Sequence, residues 1–457
     1  MIASVNPATE QTVAEFTAHT PEEVEQKLAA AVTAQRAWRR TPIEERTDLL
    51  RRIAKVLRDG SEEYAQIITV EMGKPIAESR AEIEKCAVTL DYYADQAPKF
   101  LANERIASNA SDSGVVYDPL GVVLAIMPWN YPFWQFFRFA APALAAGNAP
   151  LLKHANNVPQ SAVAVEEIVR KAGAPEGLCT TLLIEADRVA ALIEDDRVAA
   201  VTLTGSTQVG RIVASQAGKA LKKQVLELGG SDPFIVLADA DVQAAAKVAV
   251  KARFTNVGQS CVNAKRFIVE NAVADEFVAA FVEHVQALKV GDPLQDDTNI
   301  GPMARANLRD ELHSQVERTL ANGRAQLKAG GSPVDGPGYY YQPTVIDYVE
   351  PGDVAFDEET FGPVAAIIRA RDVEHAIELA NDTEYGLGAA LWTEDIDKAR
   401  DLTRQIDAGA VFVNGMVASD ARLPFGGIKA SGYGRELGDF GLREFVNIKT
   451  VWIGPAR

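Results

Sequence analysis

At 457 residues, with 47% hydrophobic and 24% charged residues, the chain has an ordinary globular composition and length for about three domains' worth of core. Its 46 Lys and Arg against 63 Asp and Glu leave a net charge of −17, which excludes general nucleic-acid or anionic-membrane binding and demands local basic residues at any phosphate or carboxylate site. No run of about 18 apolar residues offers a membrane span, the N-terminus MIASVNPATEQ lacks signal-peptide character, and three cysteines suit a reducing cytosol better than a disulfide framework.

In chain order, residues 6–15 read as an extended entry. From 20 to 101, Ala, Leu and Ile recur at three- and four-residue spacing among charges, which is a helical period. Thr20-Pro21-Glu22-Glu23 supplies a cap, a first-turn proline and acids, and Pro42-Ile43-Glu44-Glu45 after Thr41 repeats the signal. Residues 113–126 switch to β-branched residues around a Pro-Leu-Gly turn and read as two strands, the second (122–127) buried and ending at Pro128. The segment from Pro128 to Lys153 reads as loop, apolar helix, Gly147-Asn148 turn and short strand. A helix follows Val158-Pro159, then strands near 180–184 and 199–203, after which TGSTQVG (204–210) opens another helix. A second block starts after Gly230 with the strand PFIVL and alternates to Val413; the tail ends in VNIKTVWI. Strands alternating with helices predict an α/β protein with doubly wound parallel sheets in two lobes, with paired β elements around residues 116 and 450.

The chemistry centres on Cys261, in FTNVGQSCVNAKRF. Its neighbours Gly258, Gln259, Ser260 and Asn263 belong on a turn, and exposure with polar surroundings favours a nucleophilic thiolate over the buried small hydrophobe that suits Cys86 and Cys179. Glu227, in QVLELGGSD, is a carboxylate on an apolar strand before a flexible Gly pair. Desolvation there would raise its pKa and suit a general base; a water-facing glutamate is the alternative. Asn130, in PWNYP, is an uncharged double donor suited to an oxyanion, or equally a turn residue between prolines. The strand–TGSTQVG–helix junction aims backbone N–H groups at an anion, although it is not G-x-G-x-x-G. No Cys/His cluster has metal-ligand spacing, so no metal is expected.

Taken together, PWNYP, LLKHAN, TGSTQVG, LELGG, FTNVGQSC, EETFGP and PFGGIKASGYGREL, in this order and nearly end to end, resemble the aldehyde dehydrogenase superfamily. The resemblance implies two Rossmann-like lobes: a cofactor-binding domain at 1–112 and 128–228, a catalytic domain at 229–423, and a return to the cofactor domain at 424–439. Residues 113–127 and 440–457 would be oligomerisation strands. Cys261 would attack the aldehyde, the Asn130 amide and the Cys261 N–H would hold the oxyanion, and Glu227 would activate water to release the acid. Glu436 would help relay protons. Trp129, Lys153, Gly205, Ser206, Gly229, Glu359 and Phe361 would surround the nicotinamide cofactor. Asn156, where relatives preferring NAD often carry Glu, points to NADP, with NAD tolerated.

Substrate choice turns on Arg138, eight residues after Asn130 in an otherwise apolar helix, where a guanidinium is costly unless an anion meets it. The alternative is an Arg that reaches the surface or pairs with a carboxylate. Within the family, Arg at this position resembles the succinate-semialdehyde dehydrogenases, with Ser419 and Arg422 as further contacts. Other small or acidic aldehydes, such as glutarate semialdehyde or glycolaldehyde, and a non-catalytic binding role on the same scaffold are the competing expectations. Two departures stand out. Thr255 replaces a basic residue that some of these enzymes carry, and Asn263 replaces a cysteine that would form a regulatory disulfide. A cytoplasmic homodimer or homotetramer is expected, without nucleic-acid or membrane partners.

Overall fold

The computed structural model describes residues 1–454, so the last three positions of the expected 440–457 segment lie outside the described residues. The chain opens with an antiparallel hairpin of β1 (Ile2–Val5) and β2 (Thr12–Phe16). Thr20 then caps α1 (Pro21–Trp38) through a capping box with Glu23, and α2 (Ile43–Asp59), α3 (Ser61–Met72) and α4 (Ile76–Phe100) follow. After β3 (Glu104–Arg105) and β4 (Asp112–Pro119), the first lobe runs β5 (Val122–Met127), α5 (Trp134–Ala146), β6 (Ala149–His154), α6 (Pro159–Lys171), β7 (Thr180–Thr181), α7 (Val189–Glu194), β8 (Val198–Thr204), α8 (Thr207–Lys219) and β9 (Lys223–Glu227).

The second lobe runs β10 (Asp232–Val236), α9 (Val242–Phe254), β11 (Ala264–Glu270), α10 (Asn271–Gln286), α11 (Ala306–Leu320), β12 (Gln326–Ala329), β13 (Thr344–Asp347), α12 (Val354–Asp357), β14 (Val364–Ala370), α13 (Val373–Asn381), β15 (Gly388–Trp392), α14 (Ile396–Thr403) and β16 (Ala410–Val413). The chain then returns through β17 (Gly432–Tyr433), α15 (Gly438–Arg443) and β18 (Val446–Ile453).

Two sheets carry the fold. The six-stranded one has the order β17-β9-β8-β5-β6-β7, and the seven-stranded one β12-β13-β14-β11-β10-β15-β16. All pairs are parallel except β17 with β9 and β12 with β13, both at sheet edges. Each sheet covers both faces with helices and has its own apolar core, as parallel sheets require. Among the described residues, no helix is long and apolar enough to cross a membrane.

The stretch expected as oligomerisation strands, 113–127, divides in two. β4 pairs with β18 in a small three-stranded sheet, Tyr117 opposite Ile448. β5 lies instead at the centre of the cofactor sheet, between β6 and β8. The reason is burial: VVLAIM is apolar on both faces and nearly all buried, whereas DSGVVYDP is only half-buried and tolerates an outlying position.

Strand order also reverses at β5, with β6 on one side and β8 on the other. A crevice at such a switch point, outside the carboxyl ends of the strands, is where an open α/β sheet receives a ligand. Met127 leads there into Pro128-Trp129-Asn130, and Thr204 leads into Gly205-Ser206.

Candidate active site

Cys261 sits at the boundary of the lobes: it belongs to the second lobe's chain but packs against the first lobe's core. The turn before it is buried rather than exposed, contrary to the expectation from its composition. Asn256 (φ 54°), Val257 (φ 58°) and Gly258 (φ 72°) are three successive left-handed residues, a conformation that costs a β-branched valine dearly. Side-chain amides tie the turn to its surroundings. Asn256 Nδ2 donates to the Asn130 carbonyl at 2.8 Å, and Asn263 Nδ2 donates to the Ala252 carbonyl at 2.9 Å. Gly258 is also required by contact, because a Cβ there would lie 2.3 Å from the Gly362 carbonyl oxygen. Lys265 Nζ, buried one turn on, donates to the Cys261 carbonyl at 2.9 Å.

The Asn130 amide faces this turn. Its Nδ2 donates to the Gln259 carbonyl at 3.0 Å, which orients the group and leaves a second N–H. Burial pushes the Cys261 thiol up to about 12, against the lowering charges of Arg138 and Lys265. The free enzyme therefore holds a protonated thiol and needs a proton acceptor to make the nucleophile.

Glu227 is 2% exposed, so the water-facing alternative is excluded. Its carboxylate lies against Gly426, where a Cβ would come within 2.7 Å of Oε1, and neither oxygen has a hydrogen-bond partner among the described residues. Burial, then the charge of Glu436, raise its pKa well above the carboxylate range, while Arg138 and Arg435 pull it down. Burial raises Glu436 as well, and Arg138 opposes that. Two buried carboxyls thus share one guanidinium.

Of the two alternatives left open for Arg138, that pairing is the one with a carboxylate. The side chain is 2% exposed and forms an ion pair with Glu436. It also donates to Thr204 Oγ1 at 3.3 Å and lies 4.8 Å from the Phe425 ring. The anion it requires comes from the protein, so it does not present a free charge. Arg422 is likewise not gathered into the site: it is exposed and grips Asp420 at 2.6 Å. Ser419 is half-buried and accepts from Lys85 Nζ at 2.6 Å.

A cavity of about 280 Å³ opens on Cys261 and Asn130 between the lobes. Gly205 and Ser206 line it from the first lobe, with Trp129; Gly229, Glu359 and Phe361 line it from the second. The rings of Trp129 and Phe361 meet edge to face at 5.8 Å. Ser206 caps α8, leaving the helix N-terminus turned to the cavity. Glu359 is held by the Gly230 N–H at 3.1 Å and Lys265 at 3.4 Å. Gly229 lacks the Cβ that would reach within 2.6 Å of Glu359 Oε2.

One strand over, Lys153 is next to last in β6, with its Nζ 2.9 Å from Asn156 Oδ1 and, among the described residues, no carboxylate within ion-pair distance. Asn156 in turn donates to Glu185. A buried lysine without a carboxylate at ion-pair distance, in the same lobe as the helix N-terminus at the cavity, fits a dinucleotide whose phosphates meet the first lobe.

Three functional neighbours escaped the sequence reading. Lys265 sits in a strand whose neighbours are all apolar or buried, and a lysine followed by Arg266 in such a run was the available signal. Glu185 and Lys85 gave none, because a charged residue on a helix or loop reads as solvated until packing brings it to a site.

The sequence pattern of the aldehyde dehydrogenase family matches residues 1–451. The chain is 52% identical to a probable succinate-semialdehyde dehydrogenase [NADP(+)] of Synechocystis over 99% of both chains. It is 51% identical to a succinate semialdehyde dehydrogenase [NAD(P)+] of Escherichia coli, over 98% of this chain and 97% of the other. The crystal structure of succinic semialdehyde dehydrogenase from Streptococcus pyogenes in complex with NADP+ superposes over the whole of both chains with a TM-score of 0.97 at 38% identity. With the Cys261 thiol and the Asn130 amide at one cavity between the lobes, and with this match nearly end to end, the chain belongs to the aldehyde dehydrogenase family.

Proposed function

We propose that the protein oxidises succinate semialdehyde to succinate, with NADP as the favoured cofactor. The observation that carries the chemistry is the placement of Cys261 at the cavity with the Asn130 amide beside it and Glu227 behind. The names of the relatives that are 52% and 51% identical support the substrate and the cofactor.

In this reading the Cys261 sulfur attacks the aldehyde carbon, and its proton leaves toward Glu227. The developing oxyanion is held by the second Asn130 N–H and the Cys261 backbone N–H. When bound, the nicotinamide cofactor supplies the hydride acceptor. Trp129, Gly205, Ser206, Gly229, Glu359 and Phe361 would hold it, with Lys153 and Asn156 at its ribose end. Once Glu227 has passed the thiol proton on to solvent, it takes a proton from water, backed by Glu436, as the hydroxyl adds to the acyl carbon; the C–S bond then breaks, succinate departs and the Cys261 sulfur is restored. Arg138 serves here by charge: it lowers the Cys261 thiol and keeps Glu436 ionisable.

Asn156 supports NADP because a neutral amide beside Lys153 does not repel a 2′-phosphate. The three thiols, all unpaired, suit a reducing cytosol. The three-stranded sheet exposes Ile448 (59%), Trp452 (53%) and Ile453 (53%) on β18, an apolar edge that suits pairing with further copies into a dimer or tetramer. Initial rates for succinate semialdehyde, glutarate semialdehyde, glycolaldehyde and butanal, each with NAD and NADP, test the reading. Succinate semialdehyde with NADP should give the highest kcat/KM, and a neutral aldehyde or NAD in first place refutes it.

A further inference from the structure

Arg138 is committed to Glu436 and Thr204, so a substrate carboxylate needs another cation, and one lies beside it. Three segments converge there: α4, the first turns of α5, and the loop after β16. Glu82 on α4 accepts from the Phe133 and Trp134 N–H groups at 2.9 Å, fixing α4 against the start of α5. Lys85, three residues on and hence on the same helix face, places its Nζ 4.3 Å from the Trp134 ring centroid and 2.6 Å from Ser419 Oγ. Trp134 and Arg138, four apart, share a face of α5.

The charges nearest Lys85 are already spoken for. Glu82 pairs with Lys74, Glu436 with Arg138, and Asp420 with Arg422. Among the described residues, Lys85 has no carboxylate within ion-pair distance. Its one polar partner is a hydroxyl, and a lysine ammonium carries three donors. Two of them, and the Ser419 O–H, are left for an acceptor. The ring beneath excludes water, which strengthens any ion pair formed above it.

We propose that Lys85 determines substrate specificity: its ammonium and the Ser419 hydroxyl bind the terminal carboxylate of the aldehyde substrate. This rests on the reading of the substrate as a carboxylate-bearing aldehyde. It assigns the anchoring role that the sequence had placed on Arg138, which instead sets the local potential. Gln135, the residue after Trp134 on α5, lines the Cys261 cavity, so the helix that carries the ring beneath Lys85 also borders the nucleophile's cavity, and the charge of Arg138 bears on both groups. Burial, then Arg138, bring Lys85 down to about 8, with Cys86, Glu82 and Asp420 opposing. In the free enzyme the ammonium is therefore complete at pH 6–7 and lost as pH rises through about 8.

The test compares kcat/KM for succinate semialdehyde with that for butanal, which has the same chain length and no carboxylate, using NADP. The proteins are the wild type, K85M and, should the apolar variant fold poorly, K85Q. The ratio should fall about 10- to 100-fold in each variant, mainly through KM. In the wild type it should also decline above about pH 8, and that decline should be absent from the variants. A wild type that strongly prefers succinate semialdehyde, with variants that keep the ratio or lose both activities equally, overturns the role of Lys85 and leaves the substrate reading standing. A wild type without preference overturns both.

Discussion

The two lobes are built alike and used oppositely. Both are doubly wound parallel sheets in which strand order reverses around one central strand, β5 in the first and β10 in the second. The first lobe presents the carboxyl ends of its strands: Trp129 and Asn130 follow β5, and Gly205 and Ser206 follow β8. The second presents amino ends. Gly229 and Gly230 precede β10, Cys261 precedes β11, and Glu359 and Phe361 precede β14. The crevice rule for open α/β sheets therefore locates the nucleotide half and would misplace the chemical half. Topology supplies the frame, and the facing of the two lobes decides which edge of each becomes the site.

Substitutions can break that comparison one lobe at a time. Cys261→Ser should abolish aldehyde oxidation by on the order of 10⁴-fold or more while NADP still quenches tryptophan fluorescence, because the first lobe's edge is intact. Loss of cofactor binding together with activity would mean that the two edges are not separable. Glu227→Gln should lower kcat by about 10²- to 10³-fold and leave a burst of NADPH close to one per active site, the mark of an acyl-enzyme that waits for water. The sign with pH follows from burial. Burial raises the Glu227 pKa well above the carboxylate range, so its ionised, proton-accepting form fills in as pH rises: wild-type turnover should rise with pH, and the variant should lack the limb that belongs to this carboxyl.

Gly258→Ala acts on the turn itself. It places a Cβ 2.3 Å from the Gly362 carbonyl at φ 72°, and should cost about 3 kcal/mol or more of stability, read as a lowered melting temperature. A melting point equal to the wild type's would show that the turn has room. The smallest effect belongs to the first lobe. Asn156→Glu should reduce kcat/KM for NADP about tenfold relative to NAD by repelling the 2′-phosphate, and an unchanged ratio would remove Asn156 from cofactor choice.

Much of this architecture was legible along the chain. The capping box at Thr20, the strand–TGSTQVG–helix junction and the alternation of elements all report local preference, which does not wait for tertiary contacts. The identities of Cys261, Glu227 and Asn130 as chemical groups were legible too, because few residue types do such work and each stood in a turn or before glycines. Their states were not. The turn at 254–261 reads as polar and exposed, yet its Asn256 amide is turned inward onto the Asn130 carbonyl, and the residues before Cys261 are largely buried. The strand 122–127 reads as a neighbour of 113–119 along the chain, yet burial on both faces sends it to the middle of a different sheet.

By itself, then, the sequence determined the class of fold and the family to which the chain belongs, since these depend on residue type, spacing and order, and it put forward Cys261 as the proposed nucleophile. Only the tertiary structure decided that Arg138 is answered by Glu436 and that Lys85, among the described residues, meets a hydroxyl and an aromatic ring but no carboxylate at ion-pair distance. A charge's availability depends on what lies within a few ångströms of it, and the partners here come from stretches hundreds of residues apart. No local pattern records that distance.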